Sequence, residues 1–171
     1  MDNSIIIGNA CSLLAMGTNA ISATRKTTKG VLRFQNLSQA IYFVCALVLG
    51  GYSAAVQNVV SILRNIAAIR NIKSKAVEWG LTIAGVVFGI LFNNRGLMGM
   101  LPVLGNLQYT LAIFRFKENE QILKLSFLIS TAAYAVFNIV IENYVGAVMD
   151  TTVIVTTAVV LIRGITKNTK K

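Results

Sequence analysis

Long charge-free apolar runs, punctuated by short clusters of charge, set the expected elements of this chain. Residues 3–24 carry no charge, which is long enough for a helix across a hydrocarbon core of about 30 Å. The next charge-free run, residues 34–63, is too long for one ordinary span, and Gly50-Gly51 followed by Tyr52-Ser53 predicts a turn in its middle. It therefore divides into a second and a third helix. Residues 79–94 predict a shorter fourth span that ends at Asn93-Asn94-Arg95-Gly96. Residues 97–114 form the fifth, interrupted by Pro102 and closed by Arg115 and Lys117. Residues 125–141 form the sixth, and residues 144–162 the seventh, broken only by Asp150. The expected fold class is an all-α polytopic membrane protein with seven spans.

Charge then sets an orientation. Nothing basic precedes the first run, whereas Arg25, Lys26, Lys29 and Arg33 follow it, opposite to the arrangement of a cleaved signal peptide. With the N-terminus outside, and with Arg64 and Arg70 counted at the inner end of the third span, 15 of the 16 Lys and Arg residues face the cytoplasm. Only Arg95 faces out. A positive-inside bias in short loops determines orientation, so the sequence predicts a multi-pass membrane protein with its N-terminus outside and its basic C-terminal tail in the cytoplasm.

The segment Ala40–Val59 recurs. Laid on Ala132–Thr151, 92 residues later, it is identical at seven of twenty positions: Ala40/Ala132, Tyr42/Tyr134, Val44/Val136, Val48/Val140, Tyr52/Tyr144, Ala55/Ala147 and Val56/Val148. Ala54/Gly146 and Asn58/Asp150 are close in kind. The same offset carries spans one to three onto spans five to seven and leaves span four as a linker. Residues 1–75 are then a first three-helix repeat, residues 76–96 a linker helix, and residues 97–171 a second repeat with the basic tail. An odd linker restores direction, so the repeats run parallel, related by an axis along the membrane normal with a solute site between them.

Composition excludes several function classes. Hydrophobic residues make up 55% of the chain and charged residues 13%, against about 25% charged in soluble domains. The pI near 10 does not point to nucleic acid, because the basic residues sit between apolar runs rather than on one face. With no His and with two isolated cysteines, Cys11 and Cys45, neither a disulfide framework nor a His/Cys metal site is expected. No nucleotide loop, paired-carboxylate site or activated nucleophile is visible. We therefore expect no enzyme and no cofactor.

The candidate chemistry is a layer of polar residues inside the spans. Asn9, Asn58, Asn106, Asn138 and Asp150 all fall roughly 8 to 14 Å inside the outer boundary, at 1.5 Å per residue. A carboxylate at that depth costs several kcal/mol to keep ionised, so it marks a cavity or a partner. On the functional reading, Asn58 and Asp150 face each other across the repeat axis and hydrogen-bond a solute. On the plainer reading, Asp150 is neutral, or bonds to Asn138 and Thr151 as glue between helices. Tyr42 and Tyr134, near mid-membrane, line a pocket or join helices. Arg64, about 9 Å deeper than Asn58, stands at the inner mouth as a gate or snorkels to the headgroups. Pro102 is a candidate hinge, because an interior proline removes a backbone donor and kinks a helix. Gly85 and Gly89 offer a small-residue packing face on span four.

The three-plus-one-plus-three plan resembles the SWEET sugar facilitators and the related nicotinamide riboside transporters. It departs from SWEETs in having Asp150 where their pattern has a second asparagine. It also lacks a tryptophan pair near the site, since Trp79 is alone. In the stretch LGGYSAAVQNVVSILRN and in overall size the chain more closely resembles the YgjV family of bacterial inner-membrane proteins. The YgjV resemblance implies no assigned molecular function, whereas the SWEET-like plan implies a carrier moving a small polar solute by rocking of two bundles, as a facilitator or with proton coupling. The competing function is a non-transporting membrane scaffold or assembly partner. The expected partners are the solute and membrane lipids, with a homo-oligomer compatible and nucleic acid not expected.

Overall fold

The computed structural model describes residues 2–72, 74–116 and 119–168. Within them the chain is all-helical, with seven α-helices and no strand: α1 (Asn3–Ala23), α2 (Thr28–Val48), α3 (Tyr52–Ile69), α4 (Lys75–Leu91), α5 (Met100–Phe116), α6 (Glu120–Val140) and α7 (Tyr144–Asn168). Lys73, Lys117, Lys170 and Lys171, which belong to the charge tally, lie outside the described residues.

Four of the helices begin on a side chain that satisfies an orphan backbone donor, whereas α3 and α4 have no side-chain cap. Asp2 Oδ1 accepts from Ser4 N, Thr27 Oγ1 from Gly30 N, Asn119 Oδ1 from Ile122 N, and Asn143 Oδ1 from Gly146 N, all side-chain caps. Several helices run past the charges expected to bound them: α2 includes Lys29 and Arg33, and α4 begins at Lys75. Long basic side chains stay on the helix while their heads reach outward, so a charge marks the edge of the apolar zone rather than the end of the helix.

Three helices, α1, α2 and α6, are long and apolar enough to cross a membrane by length and composition, and α7 contributes a shorter apolar stretch, Tyr144–Val159. The other three fall short for identifiable reasons. Helices α4 and α5, with 17 residues each, reach only about 25 Å. Helix α3 buries Gln57, Asn58, Ser61 and Asn65, a polar stripe that lowers its hydropathy.

Consecutive helices pack together along the whole chain, and α1 with α7 and α3 with α5 close the bundle. Among the described residues, helix α4 packs only on α3 and α5. Its Gly85 and Gly89 form the contact face: a Cβ on Gly85 would meet Gln57 and Val60, and one on Gly89 would meet Gln57 and Val103.

The α2–α3 and α6–α7 turns repeat one another bond for bond. Gly51 N donates to Ala46 O at 2.7 Å, and Asn143 N to Asn138 O at 2.8 Å. Leu49 N reaches Cys45 O, as Ile141 N reaches Phe137 O, and Gly50 N reaches Leu47 O, as Glu142 N reaches Ile139 O. Each turn needs one left-handed residue to fold its carbonyls back, supplied by Gly50 (φ 67°) and Glu142 (φ 60°). An apolar core of Ala46, Leu49, Ala54, Ala55, Phe137 and Ile141 locks the two turns together at one end of the bundle.

Candidate functional site

Below that apolar core the helices enclose a cavity of about 220 Å³. Its wall includes Asn58, Ser61 and Arg64 from α3, Asn106 and Tyr109 from α5, Tyr134 and Asn138 from α6, and Asp150 from α7. Tyr42 and Gln39 of α2 and Asn19 of α1 also line it. The volume lies below the range of about 300–1,000 Å³ typical of drug-sized pockets, which suits a small solute.

Two hydrogen-bond networks shape the wall. In the first, Asn138 Nδ2 donates to Asp150 Oδ2 at 2.8 Å, and Asn143 Nδ2 donates to Asn138 Oδ1 at 2.9 Å. Asn143, which caps α7, thereby fixes the amide orientation that presents a donor to the carboxylate. In the second, Arg64 Nη1 donates to Thr110 Oγ1 at 2.9 Å and to Asn106 Oδ1 at 3.2 Å, with its guanidinium 5.5 Å from the centre of the Tyr109 ring. Asn106 Nδ2 donates to Gln57 Oε1 at 2.7 Å, and Gln57 Nε2 to Gly85 O at 2.8 Å. The guanidinium is thus turned toward α5 and the cavity.

Other wall groups are uncommitted. Among the described residues, the Asn58 amide and the hydroxyls of Tyr42 and Tyr134 have no hydrogen-bond partner, although Asn58 is buried to 7% exposure. Buried polar groups are normally paired, so these groups are available to a solute or to water.

The structure brings Asn58, Asp150, Asn138, Asn106, Tyr42, Tyr134 and Arg64 to one cavity. Asn9 and Pro102 are not in its wall. Asn9 Nδ2 donates to Ile5 O and Glu142 O while its Oδ1 accepts from Val145 N, so this amide clamps α1 to the α6–α7 turn. Pro102 is the third residue of α5, where an N–H would be unpaired in any case, so it leaves the helix intact. The expected mid-span break is absent because α5 begins later than the apolar run. Thr151 bonds to Ala147 O one turn back rather than to Asp150.

Sequence reading missed Gln57, Ser61 and Asn143. The signal for the first two was present, since Gln57, Asn58, Ser61, Arg64 and Asn65 recur at helical spacing on one face of α3. Asn143 gave no such signal, because its role depends on the turn geometry.

The cavity lining reaches the α6–α7 turn. There Ile141 and Asn143 are only 4% and 3% exposed. The α2–α3 turn is held by Arg95, whose Nη2 donates to Leu49 O at 3.0 Å, and by Asn94, whose Nδ2 donates to Gly50 O at 2.9 Å. Toward the opposite end, Asn19 is exposed and Phe127 is 38% exposed.

Residues 6–168 match a family described as bacterial inner membrane protein, YgjV. The chain belongs to the YgjV family. Membership explains an outer surface that would be a liability in water: Leu14, Leu91 and Val148 are each at least 65% exposed, and acyl chains solvate them as well as a protein core would. No curated protein and no solved structure matches the chain.

Proposed function

We propose that the protein is a multi-pass carrier, with seven helices crossing the inner membrane as two parallel triplets (residues 1–75 and 97–171) joined by α4. It passes a small polar solute through the cavity by alternating access. One observation carries this reading. Six pairs of positions 92 residues apart line the same cavity: Gln39/Thr131, Tyr42/Tyr134, Ala46/Asn138, Ala54/Gly146, Asn58/Asp150 and Ser61/Val153. An axis along the membrane normal between parallel repeats accounts for that arrangement, and such repeats hold the solute site between them. The packing supports it too. Exchanging α1 with α5 and α3 with α7 turns the α1–α7 contact into the α3–α5 contact, and both occur.

The lining suits a neutral or partly charged polar solute, and Asp150 gives a single group through which a proton could be coupled. The competing reading, a scaffold or assembly partner, draws on the networks around Asp150 and Arg64, which join helices. It also calls for a dry, fully bonded interface between the triplets, and the cavity with its unpartnered Asn58 and tyrosines weighs against that.

The test is uptake of radiolabelled small solutes into proteoliposomes by wild type, Asn58→Ala and Asp150→Asn. A carrier accumulates or equilibrates at least one solute, and Asp150→Asn removes any dependence on a proton gradient. If both variants fold and every uptake trace matches wild type, this site is wrong.

A further inference from the structure

The cavity wall contains one carboxylate and one guanidinium, and each is only half satisfied by the protein. Among the described residues, Asp150 Oδ2 accepts from Asn138 and Oδ1 has no donor, while Arg64 uses Nη1 alone, leaving Nε and Nη2 without acceptors. Among the described residues the two do not pair with each other: Arg64 donates to Asn106 and Thr110, and Asp150 accepts from Asn138. Charges held within a membrane protein need a counter-charge. A simple cation in this cavity would leave Arg64 unpaired, and a simple anion would leave Asp150 unpaired.

Depth separates the two groups. Helices α3 and α7 start at the same end of the bundle, since the core joins the turns before them. Asp150 is six residues from the start of α7 and Arg64 twelve from the start of α3, a difference of about 9 Å along the axis. Tyr134, whose hydroxyl has no hydrogen-bond partner among the described residues, lines the same cavity.

We infer that the cavity takes a small zwitterion whose ammonium sits at Asp150 and whose carboxylate sits at Arg64, the two charges separated by a short chain rather than carried on one carbon. This rests on the proposal that the cavity is a solute site, and it names the class of solute.

The experiment is calorimetric titration of the purified protein in nanodiscs with glycine, 4-aminobutyrate, 5-aminovalerate and 6-aminohexanoate. Butylamine, butyrate and glucose serve as single-charge and neutral controls. Affinity should peak at one of the longer amino acids and exceed that for each control by about tenfold or more, the scale set by a desolvated charge pair. Asp150→Asn and Arg64→Gln should each remove that advantage, while Asp150→Glu and Arg64→Lys shift the preferred chain length. The wild-type comparison needs no variant, so a misfolded mutant cannot blunt it. Binding of glucose or butylamine as tight as the best amino acid overturns the inference, and so does no binding across the amino acid series. Proteoliposome uptake separates the two claims. Zwitterion binding without uptake by the vesicles defeats the carrier reading and leaves this one. Uptake of a neutral solute without zwitterion binding does the reverse.

Discussion

Asn138 joins α6 to α7 by donating to Asp150 at 2.8 Å while accepting from Asn143 at 2.9 Å. The amide therefore satisfies a cavity-facing carboxylate and a buried amide at once. Asn138→Leu strips both at once and should cost about 1–3 kcal/mol, the penalty for leaving buried polar groups unpaired. The double variant Asn138→Leu/Asp150→Leu should cost less than Asn138→Leu alone, because the charge left without its donor is gone as well. Thermal unfolding in detergent compares the two.

The left-handed residues of the matched turns make opposite predictions. Glu142 holds φ 60° with a side chain that disfavours it, so Glu142→Gly should stabilise the protein by about 1 kcal/mol. Gly50→Ala should destabilise it by about 1–2 kcal/mol. A Cβ there would also come within 3.1 Å of Arg95 Nη2. Melting temperatures of the two single variants should move in opposite directions.

Helix α4 offers an internal control. A Cβ on Gly89 would fall 2.6 Å from Gln57 Nε2 and 2.7 Å from Val103 Cγ2, whereas one on Gly80 meets nothing within 4 Å. Gly89→Ala should lose about 1–3 kcal/mol through overpacking, whereas Gly80→Ala, free of any clash, should gain about 0.5–1 kcal/mol because alanine is the better helix former. Equal melting points would mean that α4 does not pack as described.

The proposed seven-span topology is tested at two exposed positions, with both native cysteines replaced by serine. Leu97 is 87% exposed in the α4–α5 turn, and Lys26 is exposed between α1 and α2. In intact cells a membrane-impermeant maleimide should label Leu97→Cys and leave Lys26→Cys unlabelled until the membrane is permeabilised. Labelling of both in intact cells would rule out the topology.

Periodicity and offset made much of this architecture legible before any coordinates. The apolar runs announced all seven helices, and the 92-residue shift anticipated that α2 and α6, at Thr28–Val48 and Glu120–Val140, would occupy matching stretches of chain. Depth counting placed Asn58, Asn106, Asn138 and Asp150 in one layer, and all four line the cavity. It could not separate Asn9, which lies at a similar depth, because depth fixes height along a helix and not direction around it. Asn9 turns to the backbone of another turn. Pro102 misled for a different reason. An apolar run shows where the membrane starts, but the first residues of the run are a turn, so a proline that looked central to a span sits in the opening turn of α5.

Arg64 has no like-placed partner. The position 92 residues later is Thr156, exposed on α7 with its hydroxyl bonded to the backbone of Thr152 and Val153. A self-assembled pair of first halves would therefore hold two guanidinia in its seam and no acid, and a pair of second halves two carboxylates and no base. Each homodimer would suffer like-charge repulsion where solvent is scarce. On the proposed two-repeat plan, opposite signs meet only where unlike halves share the chamber, so separately expressed halves should associate with each other in preference to themselves.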